Sequence, residues 1–458
     1  MMSKLENLYD ASPIFFQNLM CSGKGYLQSR GRYGKKYWEY REFFKQFDEL
    51  SLQEQEKSQM ERLQKLLHYA VEKSTFYAKL YQGIDIDTIQ SFSDLKKLPI
   101  VDKEMLRENI ESVMTIPESE AEISHTGGTT GKSLTVRFTR DDQFQRMAML
   151  DHFKSRVGFE HLKMRRATFN GKHIVPPDQK KKVFWRYNAA CKQMIYSSFH
   201  LTEENIEYYV ESLNKFKPQA IDGFFTSICD VASYIQRHKI QLKFYPVAIF
   251  PTSETLTAEG RALIERVFHC QVFDQYASSE GAPFVTECPN QTLHMELSSG
   301  VIEHLEEGDT EILVTSFTTH GTPLIRYRIG DRMKFPSEKK CACGLCGPIV
   351  DEIQGRRLDF LYTPDGAKIN AGNVANLLKN IPNAVIRAQF IQDKMDEITV
   401  LLEVQNERYG EKEEKLLRDE FLHKFGPNMN VSIELVDEIP RETSGKFRMI
   451  KNNCYQGT

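Results

Sequence analysis

The chain has 458 residues, of which 40% are hydrophobic and 27% charged, and a formal net charge of −3. That length asks for two or three domains, each with a sizeable core. The charge balance gives no electrostatic footprint for nucleic acid or an anionic membrane. No apolar run approaches the roughly 20 residues that a transmembrane helix needs. The early patch Pro13-Ile14-Phe15-Phe16 is broken by Gln17 and Asn18 and does not read as a signal peptide. Nine cysteines, an odd count and mostly scattered, argue against a disulfide framework. A cytoplasmic protein is expected.

The first hundred residues read mainly helical. Leu63, Leu66, Leu67, Ala70 and Val71 recur at helical spacing. A short helix follows near Thr75, a capped one at 93–99 ends on Pro99, and another starts at Asp102. From about residue 120 short β-rich runs alternate with amphipathic windows. Strands are expected at 121–123, 134–138, 168–171, 220–223, 246–250 and 272–276, and helices at 203–215, 228–238 and 258–268. That alternation means a parallel or mixed sheet with helices on its faces, with ligands at the carboxyl ends of the strands. Residues 293–335 turn β-rich, with strands at 311–316 and at 324–329, the latter ended by Gly330-Asp331. After Gly355 comes a smaller α+β unit. It has a hairpin at Pro364-Asp365-Gly366, helices at 373–378 and 412–425, and strands at 398–404 and 431–436.

Between the first two of those strands lies Ser124-His125-Thr126-Gly127-Gly128-Thr129-Thr130-Gly131-Lys132-Ser133. Glycines admit close backbone approach, hydroxyls and N–H groups face phosphate oxygens, and the lysine adds charge. It is not the Walker loop, which has a glycine where this chain has Thr126. Near the other end, Pro440-Arg441-Glu442-Thr443-Ser444-Gly445-Lys446 puts a lysine on a flexible segment that can reach another domain's cleft. Taken singly, each stretch also fits an ordinary surface turn.

Five stretches in order resemble the adenylate-forming superfamily of acyl-CoA synthetases, adenylation domains and luciferases. They are residues 126–132, Tyr276-Ala277-Ser278-Ser279-Glu280, Tyr327-Arg328-Ile329-Gly330-Asp331, Gly355-Arg356-Arg357-Leu358-Asp359, and residues 440–446. Residues 184–188, 197–201 and 221–227 are similar to the branch of phenylacetate–CoA ligases and CapK-like capsular-polysaccharide proteins. The resemblance implies a large N-terminal α/β region with a β-rich subdomain (residues 1–357), which binds ATP and the carboxylate. A small mobile C-terminal α+β lid (residues 358–458) would carry the catalytic lysine.

The resemblance also implies roles. Thr126, Gly127, Gly128, Thr129, Thr130, Gly131 and Lys132 would hold the ATP phosphates. Tyr276 would lie against adenine, near Ser253, Glu254, Asp274 and Gln275. Glu280 would help hold Mg²⁺, a hard cation suited to a carboxylate. Asp331 would accept both ribose hydroxyls, and Arg356 would contact ribose or phosphate. Asp359 would be the hinge, although Leu358 replaces the acidic residue usual before it. Lys446 would stabilise the transition state of adenylation. His200, Phe224 and Phe225 would line the acid pocket, where the branch often carries a Tyr-Pro-Ser turn.

The implied reaction activates a small carboxylic acid as acyl-AMP, then passes the acyl group to an acceptor. The acceptor would be CoA, or an amine or sugar hydroxyl, since no CoA-binding signature stands out. A nucleotide-binding assembly protein without turnover is the alternative. No nucleic-acid or membrane partner is expected. Finally, Cys341-Ala342-Cys343-Gly344-Leu345-Cys346 is a knuckle-like turn, and Cys288 with His294 lies upstream. Four Cys or His ligands suit tetrahedral Zn²⁺. A structural zinc on Cys288, His294, Cys341 and Cys343 is expected, with Cys346 as the alternate.

Overall fold

The computed structural model describes residues 4–454 apart from 126–133, 171, 173, 177–178, 202–203, 255, 307, 337–339, 356–359, 365–367, 371–373, 375, 379–380, 382–383, 405–408, 438 and 440–448. Helices dominate the first 120 residues. The helix Leu52–Lys73 starts on a capping box, in which Glu54 Oε2 accepts from Ser51 N at 2.9 Å. Its apolar stripe, Leu63, Leu66, Leu67 and Ala70, is buried. The expected helix at 93–99 is instead a 3₁₀ turn, Phe92–Lys97, because Asp94 caps the backbone of Ser91 one turn earlier.

β1 (Glu122–His125) and β2 (Thr135–Phe138) pair antiparallel, flanking the glycine-rich sequence in the chain. β3 (Arg166–Asn170), β4 (Trp185–Asn188), β5 (Gln193–Ser197), β6 (Ala220–Phe224) and β7 (Ala248–Thr252) then form one sheet, in the order β4-β5-β3-β6-β7. All neighbours are parallel except β4, which lies antiparallel at one edge. β6 and β7 are buried almost throughout, as strands covered on both faces must be. The helices Ile206–Phe216, Phe225–Arg237 and Ala258–Phe268 supply apolar cover through Leu213, Ile228, Val231 and Ile264.

Eight more strands follow: β8 (Gln275–Tyr276), β9 (Val285–Glu287), β10 (Leu293–Met295), β11 (Gly300–His304), β12 (Glu311–Ser316), β13 (Tyr327–Lys334), β14 (Ile349–Val350) and β15 (Glu352–Gly355). They make two antiparallel sheets, β14-β10-β9-β8 and β11-β12-β13-β15. Two expectations change here. The strand at 272–276 divides: Val272 bridges Ile249 at the large sheet, and the chain then joins the next sheet as β8. Gly330-Asp331 does not end β13. The strand bulges there, with Gly330 at φ +84°, and pairing with β12 resumes on the far side.

This β-rich part forms one core with the N-terminal helices. Gln59 Nε2 donates to Gly300 O at 2.6 Å, Tyr77 Oη to Pro323 O at 2.8 Å, and Val101 N to Arg326 O at 3.1 Å.

The C-terminal part has the hairpin β16 (Phe360–Tyr362) and β17 (Lys368–Asn370). β18 (Val385–Lys394), β19 (Glu397–Val404), β20 (Asn430–Leu435) and β21 (Ile450–Asn452) form a sheet in the order β20-β19-β18-β21. The helix Glu411–Phe425 packs Leu417, Phe421 and Phe425 into a core whose members all come from Leu361 onward. The long strand β18 was not anticipated. Of the expected helix at 373–378, the turn Asn376–Leu378 is the main described piece. The molecule is a large α/β region with a β-rich part, followed by an α+β unit.

Candidate active site

The carboxyl ends of β6 and β7 open on one side of the large sheet. Beyond β7, Ser253 takes a left-handed conformation (φ +67°), unusual for a residue with a side chain, and turns the chain toward Glu254. Gln275 Nε2 donates to Pro251 O at 3.3 Å, which ties β8 to that turn. Ser253, Glu254, Asp274, Gln275 and Tyr276 therefore belong to one neighbourhood.

Tyr276 Oη donates to Asp331 Oδ2 at 2.8 Å. This bond joins two motifs that are 55 residues apart in sequence. The bulge at Gly330 is what turns Asp331 out of the β13 ladder toward the tyrosine. Asp274 sits half-buried beside Glu287, and desolvation followed by that neighbouring carboxylate pushes it up to about 7. Its N–H donates to Glu287 Oε2 at 2.7 Å, and Arg261 pairs with the other oxygen of Glu287.

The turn after Tyr276 is tightly held. Ser278 Oγ accepts from Gly281 N (3.2 Å) and Ala282 N (3.0 Å). Gly281 has φ +100°, and a Cβ there would sit 2.4 Å from Thr319 Cγ2 and 2.8 Å from the Phe138 ring. Glu280, in this turn, is only 6% exposed. Its carboxylate has no hydrogen bond or ion pair among the described residues. A buried carboxylate in that condition suits a cation.

Two supports went unread in the sequence. Arg146, from the helix Arg140–Arg156, is buried and donates to Ala282 O, Thr318 Oγ1 and Ser278 O at 3.2, 2.9 and 3.4 Å. Burial lowers its pKa to about 10. Asp142, in the first turn of that helix, caps Thr139 and pairs with His320 Nδ1 at 2.7 Å. The capping box Thr139–Asp142 was the available signal.

His200 uses both ring nitrogens internally, Nδ1 with Ser197 Oγ (2.9 Å) and Nε2 with Pro176 O (3.1 Å). Phe225 is buried in the core and packs against Gly260, where a methyl would overlap its ring. Phe224 is half-buried at the end of β6. Residues 126–132, Arg356, Asp359 and Lys446 lie outside the described residues.

A second centre lies between β10 and β14. The ligand atoms of Cys288, His294, Cys341 and Cys343 all fall within 4.8 Å of one another. Cys288 Sγ is 3.6 Å from Cys341 Sγ, and Cys343 Sγ is 3.5 Å from His294 Nε2. A zinc tetrahedron with Zn–S bonds of about 2.3 Å has S–S edges of about 3.8 Å, so the spacing fits. His294 Nδ1 is 2.8 Å from Gly347 O, which fixes the tautomer and leaves Nε2 as the ligand. Leu345 N donates to Cys343 Sγ at 3.4 Å, and Gly344 (φ +89°) lets the knuckle turn. Cys346 lies apart, with its thiol 3.7 Å from Leu50 O.

One comparison decides the family. Protein CapK of Staphylococcus aureus is 36% identical over 452 residues, which span 98% of this chain and 99% of that protein. The chain belongs to the CapK family. The CapK C-terminal domain model matches residues 361–453. More distant relatives of this chain also match. A phenylacetate–coenzyme A ligase of Thermus thermophilus is 23% identical over 86% of this chain and 95% of its own. An indoleacetate–lysine synthetase of Pseudomonas savastanoi is 26% identical over 56% of this chain and 64% of its own. A solved 2-hydroxyisobutyryl-CoA ligase, in complex with 2-HIB-AMP, superposes with a TM-score of 0.57 at 16% identity, covering 88% of this chain and 90% of that one. The fold of this CapK-family chain is thus that of the adenylate-forming ligases.

Proposed function

We propose that this CapK-family protein is an ATP-dependent ligase. It joins a carboxylate oxygen of a small acid to the α-phosphorus of ATP, with pyrophosphate leaving. A nucleophile then attacks the acyl carbon, and AMP leaves. The observation that carries this reading is the Tyr276–Asp331 bond. It sets an aromatic face and a two-oxygen acceptor side by side at the strand ends, as adenine and ribose require.

The residues divide the work. Tyr276 flanks the base, within a neighbourhood built by Ser253, Glu254, Asp274 and Gln275. Asp331 exchanges its bond to Tyr276 for bonds to the ribose hydroxyls. Arg146 holds the 278–282 turn still, so Glu280 stays where the phosphates arrive. Glu280 would hold Mg²⁺, which neutralises phosphate charge when bound. Residues 126–132 cradle the phosphates, Arg356 contacts ribose or phosphate, and Lys446 steadies the charge that develops during adenylation. The self-contained core from Leu361 onward supports a lid of residues 358–458 that swings about Asp359. Phe224 borders the acid pocket, with His200 and Phe225 shaping its wall from behind. Cys288, His294, Cys341 and Cys343 hold a structural Zn²⁺ with no position left for water. Nine free thiols suit a cytoplasmic setting.

CoA as acceptor is supported by the Thermus relative, and an amine by the indoleacetate–lysine synthetase. The test is carboxylate-dependent pyrophosphate release over aryl, fatty, amino and uronic acids, each with and without CoA. A burst accelerated by CoA names acid and acceptor together. A burst indifferent to CoA moves the acceptor to an amine or a sugar. Lys446→Ala is expected to cut adenylation by about 10²–10³-fold while keeping ATP binding. Unchanged turnover in that variant would refute the role of Lys446, and ATP binding without turnover in either form would leave a binding protein.

A further inference from the structure

The helix Ile14–Arg32 is built inside out. Its small and polar residues face the protein. Gln17 is buried, donating to Tyr9 O (3.0 Å) and Ser12 O (2.9 Å) and accepting from Arg186 Nε (2.6 Å). Asn18 Oδ1 accepts from Tyr187 N at 2.9 Å, and Ser22 Oγ donates to Tyr187 O at 3.1 Å. These bonds cap the edge strand β4 of the large sheet. Gly25 is pressed against it so closely that a Cβ would fall 2.1 Å from Asn188 Oδ1.

The large apolar residues face outward. Phe15, Phe16, Leu19, Tyr26 and Leu27 are between 51% and 71% exposed. Phe15, Leu19 and Tyr26 follow one helical line, with Phe16 and Leu27 beside it. Trp38, in the next helix Lys35–Asp48, is also exposed. Ordinary surface helices show the reverse arrangement.

Charge says what covers this face. Residues 11–38 contain five cations, Lys24, Arg30, Arg32, Lys35 and Lys36, and no Asp or Glu. Lys35 and Lys36 pair with Glu39 and Asp141. Lys24, Arg30 and Arg32 make no ion pair among the described residues. A second copy docked across a two-fold axis would set these cations against each other. An anionic bilayer accepts both the aromatic stripe and the charge. We infer that this helix seats the protein on an anionic lipid surface, as a peripheral and reversible attachment. The net charge of the whole chain hides this local excess.

The test is flotation of the full-length protein with vesicles of phosphatidylcholine alone and of equimolar phosphatidylcholine and phosphatidylglycerol. The protein is expected to float only with the anionic vesicles and to be released by salt. Leu19→Glu with Leu27→Glu should weaken binding at least about tenfold, with the melting temperature kept because both side chains are exposed. Lys24→Gln with Arg30→Gln reads the charge independently, should the first pair fold poorly. Failure of the wild type to float with anionic vesicles overturns the inference, as does equal flotation of both variants. Self-association in sedimentation velocity that Leu19→Glu with Leu27→Glu abolishes, without vesicle recruitment, assigns the stripe to a second copy and also overturns it.

Discussion

Tyr276 and Asp331 share a hydrogen bond but make separable contributions. Removing the hydroxyl in Tyr276→Phe keeps the ring and loses one bond, which costs stability about 1 kcal/mol. ATP KM should move less than about threefold, because the base meets the ring face. Asp331→Asn keeps the shape but loses a charged acceptor, and KM for ATP should rise about tenfold or more. Steady-state kinetics of the two variants separates the roles, and equal effects would place the ribose elsewhere. Asp274 offers a pH test. Its folded-state value, about 7, lies above the usual carboxylate value. The native state therefore holds a proton that the unfolded chain releases between about pH 4 and 7. Stability from this group is full below that window and falls as pH rises through it. Asp274→Asn should leave the melting temperature unchanged near pH 4 and raise it at pH 8. Thermal melts across pH would show a parallel pair of curves if this were wrong.

At the level of elements, two glycines with positive φ have different jobs. Gly330 has nothing within 4 Å of an added Cβ, so Gly330→Ala carries only backbone strain, about 1 kcal/mol. Gly281→Ala adds overlap with Thr319 and Phe138 to that strain and should cost several kcal/mol, displacing Glu280. Melting temperatures rank them, and metal-dependent activity should fall mainly in Gly281→Ala. Legibility in the sequence followed the same local physics. The helix Ala258–Phe268 was read to the residue because Thr257 caps it and an apolar face repeats along it. Gly330-Asp331 was read as a stop because turn and bulge use the same glycine chemistry. Gln17 and Asn18 were read as breaking an apolar patch, whereas they anchor a helix to β4. Side-chain bonds to a distant strand leave no periodicity to read. The cysteines and histidine of the second centre were legible because few other roles suit that set. Arg146 looked like any surface arginine, and only its burial reveals its hold on the 278–282 turn.

Across the whole molecule, the cluster of Cys288, His294, Cys341 and Cys343 joins segments 53 residues apart, with β11, β12 and β13 between them. Elemental analysis of protein purified without chelator should find one zinc per chain. Cys341→Ser should lose it and lower the melting temperature by at least about 5 °C. Protein that is zinc-free yet equally stable would remove the metal from the account. A superfamily fold and a family branch were open to sequence reading, because motif order survives where boundaries blur. The docking of the N-terminal helices on strands 200 residues later was not, since nothing local encodes a long-range partner.

That docking has a consequence for how the protein is made. Leu63, Leu66 and Leu67 are buried in one core with Val314, Ile325 and Tyr327, and Val101 bridges Tyr327 directly. A ribosome adding about 5–20 residues per second needs roughly 10–50 s to pass from the first group to the second. Throughout that interval the nascent chain displays a greasy helix with no home. Holding chaperones have a defined client segment here, and a stalled or truncated transcript would yield a product that aggregates through residues 52–106.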